Sequence, residues 1–332
     1  MRHPTRPSPN GEAQLTTALT ASALAHAAPT VVLAQEGGGF LTDQFVPSLI
    51  NGVIFGLILA LASIGVSLIY GTTKLNNFAH GELVTFGGFV AVTAMTTLAL
   101  PAWIAVILAF VVGGVFGWVQ DAALWKPLRK KRVGIIPLMI VSIGLSLALR
   151  YLYAFLFGPD RIVMPVSSDA WLVLGSVRLR QWDVLGSLVA IVLLIVTAAL
   201  LTKSRIGKAT RAVADNPALA SASGIDVNRI IRVVWTGGTA LAAVAGVLLA
   251  FYQTQQWDTG ASILLLIFAS VVLGGLGTAY GALVGALIIG IAVNLSSLFL
   301  PGSLKYVTAL VIMIVVLLVR PQGILGRRER IG

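Results

Sequence analysis

The stretch VPSLINGVIFGLILALASIGVSLI, Val46 to Ile69, holds 24 residues and no charged side chain. It shows no alternation of apolar and polar residues, and it is about twice as long as a strand of a membrane barrel. A helix that crosses a bilayer needs about 20 mostly apolar residues. Because a segment in lipid must satisfy its own backbone hydrogen bonds, this stretch predicts a transmembrane α-helix.

The whole chain has the same character, since 57% of its 332 residues are hydrophobic and only 11% are charged. A soluble domain carries about 25% charged residues. Seven further apolar runs predict spans: Leu83–Leu100, Ile104–Leu124, Ile135–Phe157, Val184–Leu201, Val233–Phe251, Leu283–Leu300 and Val307–Val319. Ile263–Leu276 is shorter and ends in glycines, which predicts a short or broken span or a re-entrant segment. We therefore predict an all-α fold, a polytopic membrane helix bundle of about eight to nine transmembrane segments, over residues 46–326.

The net charge of +11 is concentrated in short segments between the apolar runs. These segments are Lys126–Arg132, Lys203–Arg232 and Arg320–Arg330. Basic loops of this kind mark the cytoplasmic side of a membrane protein and argue against nucleic-acid binding. With these segments in the cytoplasm, the N-terminus is predicted outside, the basic tail 327–332 inside, and the Lys74–Glu82 turn inside. The absence of cysteine excludes disulfides and thiolate metal sites.

Residues 1–45 precede the first span and are predicted to lie outside the cell membrane. Arg2 and Arg6 come before a weakly apolar stretch, Ala13–Ala28, and Ala25-His26-Ala27 has the small-x-small form of a signal-peptidase site. A cleaved signal would deliver an outside N-terminus. A disordered tail, or a start codon placed too early, is the other interpretation, and both stay open.

The basic segment Lys203–Arg232 is too polar to span and long for a simple loop. Ala209–Ala214 and Pro217–Ser223 are rich in helix-forming residues, with a break at Asn216-Pro217. Proline suits the first position of a helix, and Gly224 follows where a C-terminal glycine belongs. The pattern predicts a small helical element on the cytoplasmic face. It would serve either as a docking site for a partner protein or as an anchor in the lipid headgroups.

Glycines at four-residue spacing recur in the apolar runs and predict close helix packing. They are Gly52 and Gly56, Gly113 and Gly117, and the series Gly277, Gly281 and Gly285. The GGLG sequence that includes Gly274, Gly275 and Gly277 also predicts a broken helix whose freed backbone groups line a cavity. The amide of Asn294 needs several partners, so it is predicted to bridge helices or to contact a substrate.

The sequence NNFAHGE, residues 76–82, is the most polar interruption between two apolar runs. His80 and Glu82 do not make a metal site, because three or four ligands are needed and the other two histidines lie in the N-terminal segment. HGELV is not HExxH, so a catalytic site is not predicted. Asn77 can cap the turn, Phe78 can anchor it, and Glu82 suits a helix N-terminus. The motif is therefore predicted to be a polar cytoplasmic turn.

Two absences bear on the source of energy. No GxxxxGK[ST] phosphate loop occurs, so the chain cannot hydrolyse ATP by that route. No aspartate, glutamate or lysine lies at the centre of a predicted span, where ion-coupled carriers usually place a carboxylate. The second absence argues against a self-sufficient ion-coupled carrier.

Four stretches in order resemble the LivH-type permeases of branched-chain amino acid ABC importers. They are the LALASIGVSLIYG and KLNNFAHGE sequences within Leu59–Glu82, GKATRAVADNPALASASGI at Gly207–Ile225, VLGGLGTAYGALVGALIIG at Val272–Gly290, and RPQGILG at Arg320–Gly326. The resemblance runs over Val46–Gly326.

The resemblance implies a pore-forming subunit in the inner membrane that passes substrate to the cytoplasm by alternating access. Its implied partners are a second LivM-type permease, two cytosolic ATPase subunits that hydrolyse the ATP, and an external substrate-binding protein, with no cofactor on this chain. It also implies site residues. The ATPase-coupling loop would use Gly207, Arg211, Asp215, Asn216, Ala220 and Gly224, and a signature turn near the inner gate would use Asn77, Phe78, His80, Gly81 and Glu82.

The coupling loop departs from the family pattern at one point. In the family, an acidic residue and paired alanines often follow the asparagine. Here the run is Pro217-Ala218-Leu219-Ala220-Ser221. Three alternatives stay open at the level of sequence. Permeases for urea and short-chain amides are of the same type, a self-sufficient ion-coupled carrier or channel is a different class, and a structural membrane subunit would transport nothing.

Overall fold

The structure, a computed structural model, describes residue 39 and residues 41–167, 169–301, 304–320 and 322–326. The predictions for the N-terminal segment 1–38 and for the basic tail 327–332 lie outside the described residues. The described part is mainly helical, as predicted.

The helices follow one another with short connections. They are α1 (Val46–Thr73), α2 (His80–Val92), α3 (Ala102–Gln120), α4 (Lys126–Lys130), α5 (Ile135–Phe157), α6 (Gln181–Lys203), α7 (Arg205–Asp215), α8 (Pro217–Ala222), α9 (Val227–Tyr252), α10 (Thr259–Gly274), α11 (Ala279–Ser296) and α12 (Lys305–Val319). Three π-helical turns extend them: Leu41–Phe45 leads into α1, Thr93–Thr97 continues α2, and Asp121–Trp125 joins α3 to α4.

Within the part of the chain that the structure describes, six helical stretches are long and apolar enough to cross a membrane. They are Asp43–Thr73, Ala102–Lys130, Ile135–Phe157, Gln181–Lys203, Val227–Tyr252 and Ala279–Ser296. The other apolar helices, α2, α10 and α12, have 13, 16 and 15 residues. A helix of 16 residues extends about 24 Å, less than the roughly 30 Å of a hydrocarbon core.

All eight predicted spans are helical, and the doubtful segment Ile263–Leu276 corresponds to α10. The predicted bounds are least accurate for Leu83–Leu100. The helix begins earlier, at His80, and its regular part ends at Val92. Ala99 has a φ of 50°, in the left-handed region, so the chain has left the helix before Leu100.

Helices α1 and α9 form the centre of the bundle. Of the most apolar 18 residues in each, 89% are buried in α1 and 83% in α9, against 22% in α5 and 17% in α6. A helix that is apolar on all sides is typical of a buried position or of a membrane span. Helices α5 and α6 therefore lie at the periphery and expose apolar side chains such as Phe155 and Ile195.

Glycines allow the central helices to approach closely, as predicted. A Cβ at Gly56 of α1 would lie 3.0 Å from the Cα of Leu287 in α11. In α3, a Cβ at Gly117 would lie 2.7 Å from the carbonyl oxygen of Trp235 in α9. These contacts place α11 against α1 and α3 against α9, with backbone next to backbone.

A second hydrophobic cluster joins the C-terminal end of α1 to the basic segments. Ile69, Trp125, Leu138, Val213 and Trp235 are among its buried members. The rings of Trp125 and Trp235 stack with 5.3 Å between centroids. The helix ends in this cluster carry the basic residues of the 126–132 and 203–232 segments, and we call this side of the molecule the basic end.

The opposite end carries a feature that the all-α prediction did not include. Strands β1 (Ala170–Leu174) and β2 (Val177–Arg180) form an antiparallel hairpin between α5 and α6. Nearby, Ile162 and Gln255 exchange backbone hydrogen bonds of 2.9 Å, which tie the segment between α5 and the hairpin to the connection between α9 and α10.

Candidate functional site

The connection between α1 and α2 folds back into the bundle. Helix α1 ends at Lys74, whose φ of 55° reverses the chain. Six residues later, Nε2 of His80 lies 3.1 Å from the carbonyl oxygen of Ala62. Because Ala62 precedes the end of α1 by eleven residues, His80 lies about 16 Å into the bundle from that end. We call residues 74–82 the re-entrant turn.

The stretch that was predicted to be a polar cytoplasmic turn is buried within the bundle. Asn77, His80 and Glu82 are 2%, 0% and 1% exposed. Asn77 does not cap α2, whose N-cap residue is Ala79, but its Oδ1 accepts a hydrogen bond of 3.1 Å from the amide of Ala79 within the turn. Phe78 anchors the turn by an edge contact with Phe268 of α10, with centroids 5.4 Å apart.

The start of α2 meets the start of α10 inside the bundle. A Cβ at Gly81 would overlap the carbonyl oxygen of Gly260, and the reverse is also true. The amide of Gly260 donates a 2.7 Å hydrogen bond to the hydroxyl of Thr85. The N-termini of these two short helices therefore contact each other, and they lie within the bundle rather than at its surface. Glycine is required at both positions by this close approach.

Glu82 forms a buried ion pair that sequence reasoning missed. Its Oε1 accepts hydrogen bonds from Nε and Nη2 of Arg150 in α5, at 3.0 and 2.9 Å, and from the hydroxyl of Ser146 at 3.2 Å. The hydroxyl of Tyr153 donates to the backbone carbonyl of Glu82 at 3.1 Å. The available signal was Arg150, the one charged residue in an otherwise apolar run. Glu82 also places a carboxylate inside the bundle, which weakens the argument against a carrier from missing carboxylates.

Three buried polar atoms of the re-entrant turn have no hydrogen-bond partner among the described residues. They are Nδ2 of Asn77, Nδ1 of His80 and Oε2 of Glu82. Buried polar atoms without partners are rare and costly in free energy. Their concentration on one turn marks it as a candidate functional site.

The segment Lys203–Arg232 forms the predicted helical pair, α7 and α8, at the basic end. Ser204 caps α7 by accepting a 2.9 Å hydrogen bond from the amide of Gly207. Asn216 caps α8 in the same way, with its Oδ1 3.0 Å from the amide of Leu219. Pro217 is the first residue of α8, and Gly224 follows it with a φ of 84°. The predicted break, the proline at the first helical position and the glycine after the helix are all confirmed, and the two caps are additional findings.

The helical pair is amphipathic, and its apolar face packs against the bundle. Val213 and Ala220 are buried in the hydrophobic cluster of the basic end. Asp215 and Arg211 are exposed, and the guanidinium of Arg211 donates to the carbonyl oxygen of Leu201. Leu219 is 65% exposed, an apolar side chain on the outer face. This face has the charged and apolar groups that a docking surface needs.

The GGLG sequence breaks the chain between α10 and α11, as predicted. Gly275 and Gly277 have φ of 110° and 79°. The freed carbonyls of Leu273 and Gly274 accept hydrogen bonds of 2.8 and 3.0 Å from the amides of Ile324 and Leu325. The RPQGILG segment therefore occupies the break, and these two carbonyls do not line a cavity.

The other glycines of this region hold α11 against its neighbours. A Cβ at Gly281 would overlap Gly274, and a Cβ at Gly285 would overlap the carbonyl oxygen of Ser270. Asn294 does not form the predicted bridge among the described residues, because its amide donates within α11, to the carbonyl of Gly290 at 3.0 Å.

A polytopic bundle of apolar helices, with short helices that meet inside it and an amphipathic helical pair at its basic end, is the architecture of a multi-pass membrane protein. The chain belongs to the family described as the permease component of branched-chain amino acid transport systems, whose model matches residues 48–317. It is therefore a multi-pass membrane protein and a transporter subunit.

Curated relatives match over nearly their whole length. The LivH high-affinity branched-chain amino acid permease of Escherichia coli K12 is 33% identical over 86% of this chain and 96% of its own. A probable LivH of Methanocaldococcus jannaschii is 36% identical over 83% and 91%. BraD of Pseudomonas aeruginosa is 32% identical over 86% and 97%. No solved structure matches the chain.

Proposed function

We propose that this chain is the pore-forming permease subunit of an ATP-driven importer for branched-chain amino acids. The observation that carries the proposal is the docked helical pair at the basic end of a bundle whose whole length matches such permeases. The chain has no phosphate loop of its own, so the energy comes from ATPase subunits that bind this surface.

The basic end is cytoplasmic in this proposal, because basic loops are retained on that side. The N-terminus then lies outside, and the chain ends in the cytoplasm. The partners are a second permease of the LivM type, two cytosolic ATPase subunits and an external binding protein that delivers the substrate. The chain itself carries no cofactor.

Alternating access follows from how the helical pair is connected. Helices α6 and α9 flank it, and α9 packs backbone against backbone on three other helices. A Cβ at Gly65 of α1 would lie 2.6 Å from the carbonyl of Gly238, and one at Gly246 would overlap Val84 of α2. Movement of α7 and α8 by the ATPases would tilt α9. The tilt would carry α1 and the re-entrant turn with it, and this would open the pathway to one side at a time.

The coupling role is tested by replacing two exposed residues of α7 together. Arg211→Ala with Asp215→Ala is expected to leave assembly intact and to lower uptake per ATP hydrolysed by about tenfold, since two charged contacts contribute roughly 1–2 kcal/mol. The control is Lys208→Ala, an exposed residue of the same helix. Radiolabelled leucine uptake and ATP hydrolysis are measured in parallel, and full uptake by the double variant would contradict the proposal.

Partner identity is tested by a pull-down from the native membrane in mild detergent. The proposal predicts that a P-loop ATPase and a second multi-span permease remain bound to the tagged chain. A chain that emerges alone and moves solute without ATP would instead support an ion-coupled carrier. The urea and amide alternative is tested by adding those compounds to the uptake assay as competitors of leucine.

A further inference from the structure

The ion pair with Glu82 leaves part of the hydrogen-bonding capacity of Arg150 unused. Two of its nitrogens, Nε and Nη2, donate to the same oxygen, Oε1. The third, Nη1, has no hydrogen-bond partner among the described residues. The Arg150 side chain is 23% exposed, whereas that of Glu82 is 1% exposed. One edge of the guanidinium therefore faces out of the bundle, and its partner carboxylate is sealed inside.

The position of this open edge excludes simple contact with lipid tails. Arg150 lies within a membrane-spanning helix, and its exposed neighbours Leu147 and Tyr151 share the outer face of α5. A charged group in contact with hydrocarbon costs at least about 2.5 kcal/mol. Charged groups within spans therefore face water-filled cavities or partners. The unused donor of Arg150 therefore faces either a water-filled cavity or a partner.

A carboxylate and an aromatic pair lie beside Arg150. The ring of Tyr151, the next residue, stacks on Trp257, with 5.8 Å between centroids. Asp258 follows Trp257 and lies two residues before Gly260, which contacts Gly81 next to Glu82. Asp258 is half-buried, and its carboxylate forms no ion pair with any described residue. An arginine with an unused donor, a second carboxylate and an aromatic pair therefore lie near the start of α10.

We infer that this group is a substrate-binding site for an α-amino acid on its way through the permease. Nη1 of Arg150 binds the substrate carboxylate, and Asp258 binds the substrate ammonium group. The Tyr151–Trp257 pair contacts the aliphatic side chain. The inference rests on the proposed function and deepens it, because it assigns the residues that recognise a zwitterion.

The chemistry of the group favours one class of substrate. A guanidinium edge is suited to carboxylates, and hydrogen bonds between charged groups are about twice as strong as neutral ones. Urea and short-chain amides carry neither a carboxylate nor an ammonium group, so they would leave both charges uncompensated. The site therefore discriminates between the two substrate classes that the family resemblance left open.

The test uses the complete importer, with the second permease, both ATPases and the binding protein, in proteoliposomes that take up radiolabelled leucine. Three changes are compared with wild type: Arg150→Lys, the neutral double variant Glu82→Gln with Arg150→Gln, and the charge exchange Glu82→Arg with Arg150→Glu. The control is Arg161→Gln, which removes an exposed arginine from the loop after α5. Assembly is measured by copurification and by ATP hydrolysis.

Arg150→Lys is expected to lower leucine uptake about tenfold or more, since a hydrogen bond to a charged group is worth about 1.5–3 kcal/mol. The double variant and the charge exchange are expected to assemble and hydrolyse ATP but to lose uptake to a similar degree. A purely structural ion pair predicts that the charge exchange restores uptake. Uptake within about twofold of wild type in the exchange or in the double variant would overturn the inference.

Failure of the proposed function would look different. In that case the wild-type complex itself would not accumulate leucine with ATP, and the inference, which rests on that function, would be overturned with it. If the wild type accumulates leucine while the Arg150 variants match it, the importer function stands and only the assignment of the site fails.

Discussion

At the scale of single residues, packing of backbone against backbone sets the tolerance to change. Gly246 and Gly237 lie on the same helix, α9. A Cβ at Gly246 would overlap the carbonyl oxygen of Val84, whereas a Cβ at Gly237 would meet nothing within 4 Å. The two glycines therefore form a matched pair in which only one position requires glycine.

Gly246→Ala is expected to destabilise the bundle by about 2 kcal/mol, because overpacking forces the backbones apart. Gly237→Ala is expected to change stability by less than about 1 kcal/mol. The midpoint of thermal unfolding of the purified chain in detergent measures both. Equal midpoints for the two variants would contradict the close approach of α9 and α2.

The ion pair of Glu82 and Arg150 makes a second residue-scale prediction. Glu82→Gln leaves the guanidinium unpaired within the bundle, and is expected to cost about 3 kcal/mol of stability. The double variant Glu82→Gln with Arg150→Gln is expected to be less destabilised than the single one. A double-mutant cycle of unfolding midpoints would measure the coupling, and additive effects would show that the two side chains do not interact.

The roles of residues that act on near neighbours in the chain could be predicted from the sequence. Contacts between residues far apart in the chain could not. The first-turn proline at Pro217 and the terminal glycine at Gly224 depend on neighbours within a few residues. The pairing of Glu82 with Arg150 joins residues 68 positions apart. No short-range rule connects them, and only the unexplained charge in an apolar run signalled that a partner exists.

At the scale of elements, the break between α10 and α11 and the RPQGILG segment are one structural unit. Gly275→Ala is expected to be more destabilising than Gly158→Ala. Both glycines have positive φ, at 110° and 81°, but only a Cβ at Gly275 meets another backbone, 2.5 Å from the amide nitrogen of Gly326. The difference is expected to be about 1–3 kcal/mol by unfolding midpoint. A larger effect at Gly158 would contradict the unit.

The length of each apolar run predicted that a helix forms there, but it did not predict how deep in the bundle that helix begins. The run that predicted Leu83–Leu100 contains α2, yet nothing local shows that α2 begins well inside the bundle at His80. That position depends on Gly81 and Gly260, which allow two helix starts to meet. The β-hairpin at Ala170–Arg180 was missed for a different reason, because two strands of four or five residues in a loop give little periodicity.

At the scale of the whole molecule, the central helices of the bundle are buried, whereas the outer helices expose apolar side chains. Helices α1 and α9 are buried, while α5 and α6 expose their apolar faces. Lipid or a partner subunit covers such faces. The order of motifs along the chain indicated the family before the structure did. The sequence of this chain alone does not show where the second permease binds.

The most direct test of the central claim is leucine uptake by proteoliposomes that contain either this chain alone or the complete complex. The proposed function predicts that radiolabelled leucine accumulates only with the complete complex, and only when ATP is hydrolysed on the side of the basic end. Accumulation by the chain alone, driven by an ion gradient and indifferent to ATP, would contradict it.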